Sequence, residues 1–110
     1  MAGLTEREDR AARDLANRLR KRLGERLLEI RLYGSKARRS DSPESDVDLA
    51  VIVKRHTAGI RTEVFEEVSN IILEHDVLLD VHLMAVRDLE EMRAIGAGYA
   101  KRLDREGVSL

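Results

Sequence analysis

Apolar residues recur at helical spacing near the start of the chain, at Leu4, Ala12, Leu15, Leu19 and Leu23, with arginine and glutamate filling the positions between. Such a stripe predicts an amphipathic helix, opened by the capping-box pair Thr5 and Glu8 and closed at Gly24. The period then shortens. Leu28, Ile30 and Leu32 alternate with polar residues, which predicts a first strand over Leu27 to Tyr33. After a polar stretch the chain turns almost wholly apolar from Leu49 to Val53, the mark of a buried second strand beginning at Asp46. Thr57 is placed to cap a helix whose Ile60, Val64, Val68, Ile71, Ile72 and His75 share one face. Val77 to Met84, reading VLLDVHLM, predicts a third strand with Asp80 in its middle. Val86, Leu89, Met92, Ile95, Tyr99 and Leu103 give the apolar side of one last helix, started by Asp88 and Glu91 and weakened at Gly96 and Gly98. Gly107 leads into a short terminal strand. Between the first two strands, Lys36 to Pro43 reads as a short helix running into a loop. The expected fold is α/β: a small mixed β-sheet of three main strands plus the short C-terminal one, packed with helices. At 110 residues, a single domain spanning 1–110 is expected.

Composition narrows the function. There is no cysteine and no apolar run long enough for a membrane span, so a cytoplasmic protein without membrane association or thiolate chemistry is expected. Charged residues make up 37% of the chain, yet the net charge is only -1. A nucleic-acid coat protein would carry a basic excess, and aromatic platforms for single strands need more than Phe65, Tyr33 and Tyr99. No direct binding of nucleic acid is therefore expected. The arginines of the first helix, Arg7, Arg10, Arg13, Arg18, Arg20 and Arg22, are interleaved with acids and read as a solvated face.

The polar stretch between the first two strands carries the chemistry. Gly34 and Ser35 end the first strand in a tight turn, where close backbone approach, exposed amides and a hydroxyl suit phosphate oxygens. Asp46 and Asp48 lie two apart at the start of the second strand and so project from one face. Two carboxylates side by side repel each other, and a hard divalent cation such as magnesium would relieve that repulsion. The competing reading is a Ser/Asp-rich hairpin loop whose aspartates merely solubilise a strand start. Asp80, amid apolar neighbours, needs a metal or a salt bridge to an arginine. His82 borders it but is not expected to be a ligand, because magnesium prefers oxygen. His75, beside Glu74 and Asp76 at a helix end, reads as structural, and His56 as a solvated loop residue.

The spacing GS-x10-DxD between apolar strands resembles the signature of the polymerase-beta-like nucleotidyltransferase superfamily, and most of all the minimal nucleotidyltransferases of bacteria and archaea. The resemblance implies that fold, with Asp46, Asp48 and Asp80 holding two magnesium ions and Gly34 and Ser35 holding the triphosphate of ATP, assisted by Lys36 or Arg38. A glycine often follows the family's arginine; here Arg39 stands there instead. It further implies an antitoxin paired with a helical HEPN-domain toxin, in a hetero- or homo-oligomer, transferring AMP to a toxin tyrosine. Two other functions stay open: nucleotidyl transfer to a small molecule such as an aminoglycoside, and a catalytically idle binding module that neutralises a partner by contact.

Overall fold

The computed structural model describes residues 3–34 and 46–110. Its helices are α1 (Glu6–Leu23), α2 (Ala58–His75), α3 (Val86–Ala94) and α4 (Gly98–Glu106), and its strands are β1 (Leu27–Tyr33), β2 (Val47–Val53), β3 (Leu79–Ala85) and β4 (Val108–Ser109). The short helix expected over Lys36 to Pro43 lies outside the described residues. One mixed sheet runs β3-β2-β1-β4. Strand β1 is antiparallel to both β2 and β4, whereas β2 and β3 are parallel and joined through α2. The α/β sheet expected from the apolar pattern is the observed one.

Local chemistry sets the ends of α1 and α2. The Thr5 hydroxyl accepts from the Glu8 amide while the Glu8 carboxylate accepts from the Thr5 amide, so both capping-box bonds are made. The Thr57 hydroxyl accepts from the Ile60 amide in the same way. Strand β1 contains an irregularity between Leu27 and Glu29. It lets Leu27 face the same side as Ile30 and Leu32 and leaves Leu28 46% exposed, outside the alternation that the sequence suggested.

The C-terminal third departs from expectation. A single helix was anticipated there, but the chain forms two, separated by Gly96 at a φ of 70°. Only glycine adopts that backbone readily, so two weak helix positions close together became a break. Nor do Asp88 and Glu91 open α3. The helix begins at Val86 directly from β3, and its N-cap Ala85 makes no side-chain capping bond. Strand β3 likewise starts at Leu79 rather than Val77, and β2 at Val47 rather than Asp46.

The sheet has an apolar layer on each face. On one, Ile30, Leu32, Leu49, Val51 and Val53 pack against Leu15 and Leu19 of α1 and Val64 and Ile71 of α2. On the other, Tyr33, Ala50, Ile52 and Met84 pack against Leu89 of α3 and Ala100 and Leu103 of α4. Arginines of α1 do not simply point to solvent: Arg22 pairs with Glu66 and Glu67, and Arg18 with Glu74 and Asp14. His75 Nε2 lies 2.8 Å from Asp14 Oδ2, tying the end of α2 to α1 as a structural residue would.

Candidate active site

Because β1 runs against β2 and β2 runs with β3, the end of β1 and the starts of β2 and β3 meet at one edge of the sheet. The register pairs Tyr33 with Asp48 and Asp48 with Asp80, so these three side chains form a row on one face. The next row on that face is Arg31, Ala50 and His82. This is the face covered by α3 and α4, and their cover stops short of the row's open end. The Asp80 side chain is 52% exposed and that of His82 44%. Asp80 therefore does not sit amid apolar neighbours as its sequence suggested; the apolar residues flanking it point to the opposite face. Among the described residues its ionic partner is His82, whose Nε2 lies 3.3 Å from Asp80 Oδ2, not an arginine.

Gly34 completes the edge. Its φ is 78°, and a Cβ built on it would collide with Asp48 Oδ2 and lie 3.2 Å from Asp48 Cγ. The absence of a side chain at this turn is what lets the Asp48 carboxylate lie against the backbone. Ser35, Lys36 and Arg38, expected at the triphosphate, lie outside the described residues. Asp46 is described and exposed, one residue ahead of β2. It is not on the strand with Asp48, as the two-residue spacing had suggested, but its charge still acts on the Asp48 carboxyl.

Electrostatics at the edge are unfavourable without a cation. Burial pushes the Asp48 carboxyl above the usual carboxylate range, and the charge and hydrogen bonding of Asp80 push it further the same way. One donor atom from each of Asp48, Asp80 and His82 lies within 4.8 Å of the others. Two carboxylates held together, one partly desolvated, suit a divalent cation, so the donor set fits the kind of ion that phosphoryl chemistry uses.

An aromatic cluster closes the inner side. Tyr33 meets His82 and Tyr99 edge-on, with ring centroids 5.9 Å and 5.5 Å away, and His82 and Tyr99 are 5.8 Å apart. Burial raises both phenols above their ordinary value, so they are neutral walls rather than charged ones. Tyr99 Oη is buried without a well-formed hydrogen bond among the described residues.

Residues 14–95 match the family described as Polymerase beta, Nucleotidyltransferase. The chain belongs to that family. The matched span runs from the middle of α1 to just past the end of α3 and contains Gly34, Asp48, Asp80 and His82. No curated protein matches the chain. Within this nucleotidyltransferase domain the sheet edge carries Asp48 and Asp80 side by side. His82, which the sequence placed on Asp80's face but not as a ligand, joins the two carboxylates in the donor cluster. Its two-residue offset from Asp80 was the available signal, since alternation alone puts both on one face. Among the described residues, no helix is long and apolar enough to cross a membrane.

Proposed function

We propose that this nucleotidyltransferase moves a nucleoside monophosphate, AMP from ATP, onto a hydroxyl of a partner protein, a tyrosine of a helical HEPN-domain toxin, and so acts as an antitoxin. The observation that carries the transfer step is the pairing of Asp48 with Asp80 on one half-exposed face, with the Gly34 turn against it. The acceptor and the antitoxin role rest on the resemblance of the GS-x10-DxD spacing to minimal nucleotidyltransferases. Asp48 and Asp80, joined in this reading by Asp46 just ahead of β2, would hold divalent cations, magnesium in this reading, which when bound neutralise charge on the phosphoryl oxygens.

The chain's own groups supply the rest. The half-buried Gly34 turn, whose lack of a side chain admits the Asp48 carboxylate, would offer its backbone to the triphosphate. The acceptor oxygen bonds to the α-phosphorus as the bond to the β-phosphate oxygen breaks, and pyrophosphate leaves. Asp80, half-exposed, would take the hydroxyl proton. The neutral phenols of Tyr33 and Tyr99 limit water on the inner side without adding charge. An edge this exposed accepts a side chain presented by another macromolecule more readily than it encloses a small molecule.

Incubation with α-phosphate-labelled ATP, magnesium and the protein encoded beside it tests the reading. Label is expected on the partner, and none when Asp48→Asn replaces the wild type. Tight partner binding without label in either protein would support an idle contact module instead. Label on an aminoglycoside but not on the partner would move the assignment to small-molecule transfer.

A further inference from the structure

We propose that His82 is a third ligand-bearing residue of this site, so that a divalent transition-metal ion which accepts nitrogen gains a ligand there that magnesium does not use. This rests on the reading of Asp48 and Asp80 as the carboxylates that hold a cation. His82 Nε2 is 3.3 Å from Asp80 Oδ2. Two donors each about 2.1 Å from a shared ion stand about 3.0–3.4 Å apart across right to tetrahedral angles, so the observed separation is one that shared ligation produces. The Asp48 carboxylate belongs to the same cluster, with one donor atom from all three residues within 4.8 Å. Two carboxylates alone would suit magnesium; an imidazole added to them shifts preference toward ions that take nitrogen.

One further feature suits the ring to that role. Tyr33 and Tyr99 contact the ring at interplanar angles of 69° and 37°, which restricts its orientation.

Manganese(II) is the probe, because it reports nitrogen ligation directly. The full chain is titrated with manganese(II) and, separately, with magnesium by calorimetry, and the manganese-loaded protein is examined for nitrogen-14 modulation in its electron spin echo. The wild type is expected to show the modulation and His82→Gln to lose it. Manganese affinity of that variant should fall by about tenfold or more while magnesium affinity is unchanged. His82→Asn provides a second replacement should the glutamine variant fold poorly. Manganese bound in a way that Asp48→Asn abolishes, but without nitrogen modulation in the wild type, overturns the role of His82 and leaves the carboxylate site intact. Equal losses for both ions in the His82 variants overturn the preference. Failure of either ion to bind in an Asp48-dependent way removes the carboxylate site itself, and this inference with it.

Discussion

At the scale of single residues, Gly34 and Asp48 are bound to each other by geometry. Gly34→Ala would place a methyl group against the Asp48 carboxylate and force alanine to a φ of 78°. The two costs together are about 1–3 kcal/mol. The expected outcome is a lower urea midpoint and a weakened cation affinity, because the carboxylate must move. A loss of stability with unchanged cation affinity would show that Asp48 is not a ligand in its present position. Asp48 itself should limit stability at neutral pH. Its folded carboxyl titrates above the unfolded value of about 3.9, so the folded state holds the proton more tightly. The associated stability is complete below the unfolded value and is lost as pH rises through the folded one. Asp48→Asn, which cannot ionise, should therefore melt above the cation-free wild type at pH 7, with the gap closing as pH falls toward about 4. Melting curves in chelator across that range check both the sign and the window. The opposite trend would mean that the Asp48 carboxylate is stabilised at this edge, not strained.

Among elements, the α1 and α2 pair shows most plainly what a sequence discloses and what it does not. Both helices and their caps could be read from spacing, since Thr5, Glu8 and Thr57 act within one turn of their own chain. The partners of the α1 arginines could not, because Glu66, Glu67 and Glu74 lie 44 to 56 positions away. The break between α3 and α4 shows a second limit. Gly96 and Gly98 were visible as weak points, but whether a helix bends or ends depends on what its apolar side must cover. Here Leu89 and Leu103 reach one layer from separate helices. The same applies to the site: alternation put Asp80 and His82 on one strand face, whereas their meeting with Asp48 depends on the parallel register of β2 and β3. The ionic contact between α1 and α2 predicts a salt response. Replacing Arg18 and Arg22 together by alanine should lower the melting temperature at low ionic strength and shrink its dependence on sodium chloride, since these half-exposed pairs are screened. Asp14 adds a dependence on the acid side. Its hydrogen bond to His75, helped by Arg18, holds its carboxyl below the usual range, so that contribution is present above the unfolded value and lost as pH falls through the folded one. A variant pair as salt-sensitive as the wild type would show that these contacts do not join the helices in solution.

For the molecule as a whole, the division of the sheet into two faces separates what holds the fold from what does the chemistry. Leu49, Val51 and Val53 face α1 and α2, while Asp48, Ala50 and Ile52 face the other way, so β2 serves a core and a site through alternate residues. Side chains on the α1 and α2 face should then affect stability without entering the site. Ile71, fully buried in α2, offers a mild probe. Ile71→Val removes one methylene and should cost about 0.5–1.5 kcal/mol. Cation binding, in contrast, stabilises only the folded state, by about 2.7 kcal/mol at a hundred times the dissociation constant. If the faces are independent, the two effects add: the valine variant melts lower than the wild type both with and without manganese, and the stability gained on binding is the same in each. Chemical denaturation of the four states measures the coupling directly. A gain that differs by more than about 0.5 kcal/mol between variant and wild type would mean that β2 transmits packing changes from the α1 and α2 core to the Asp48 edge.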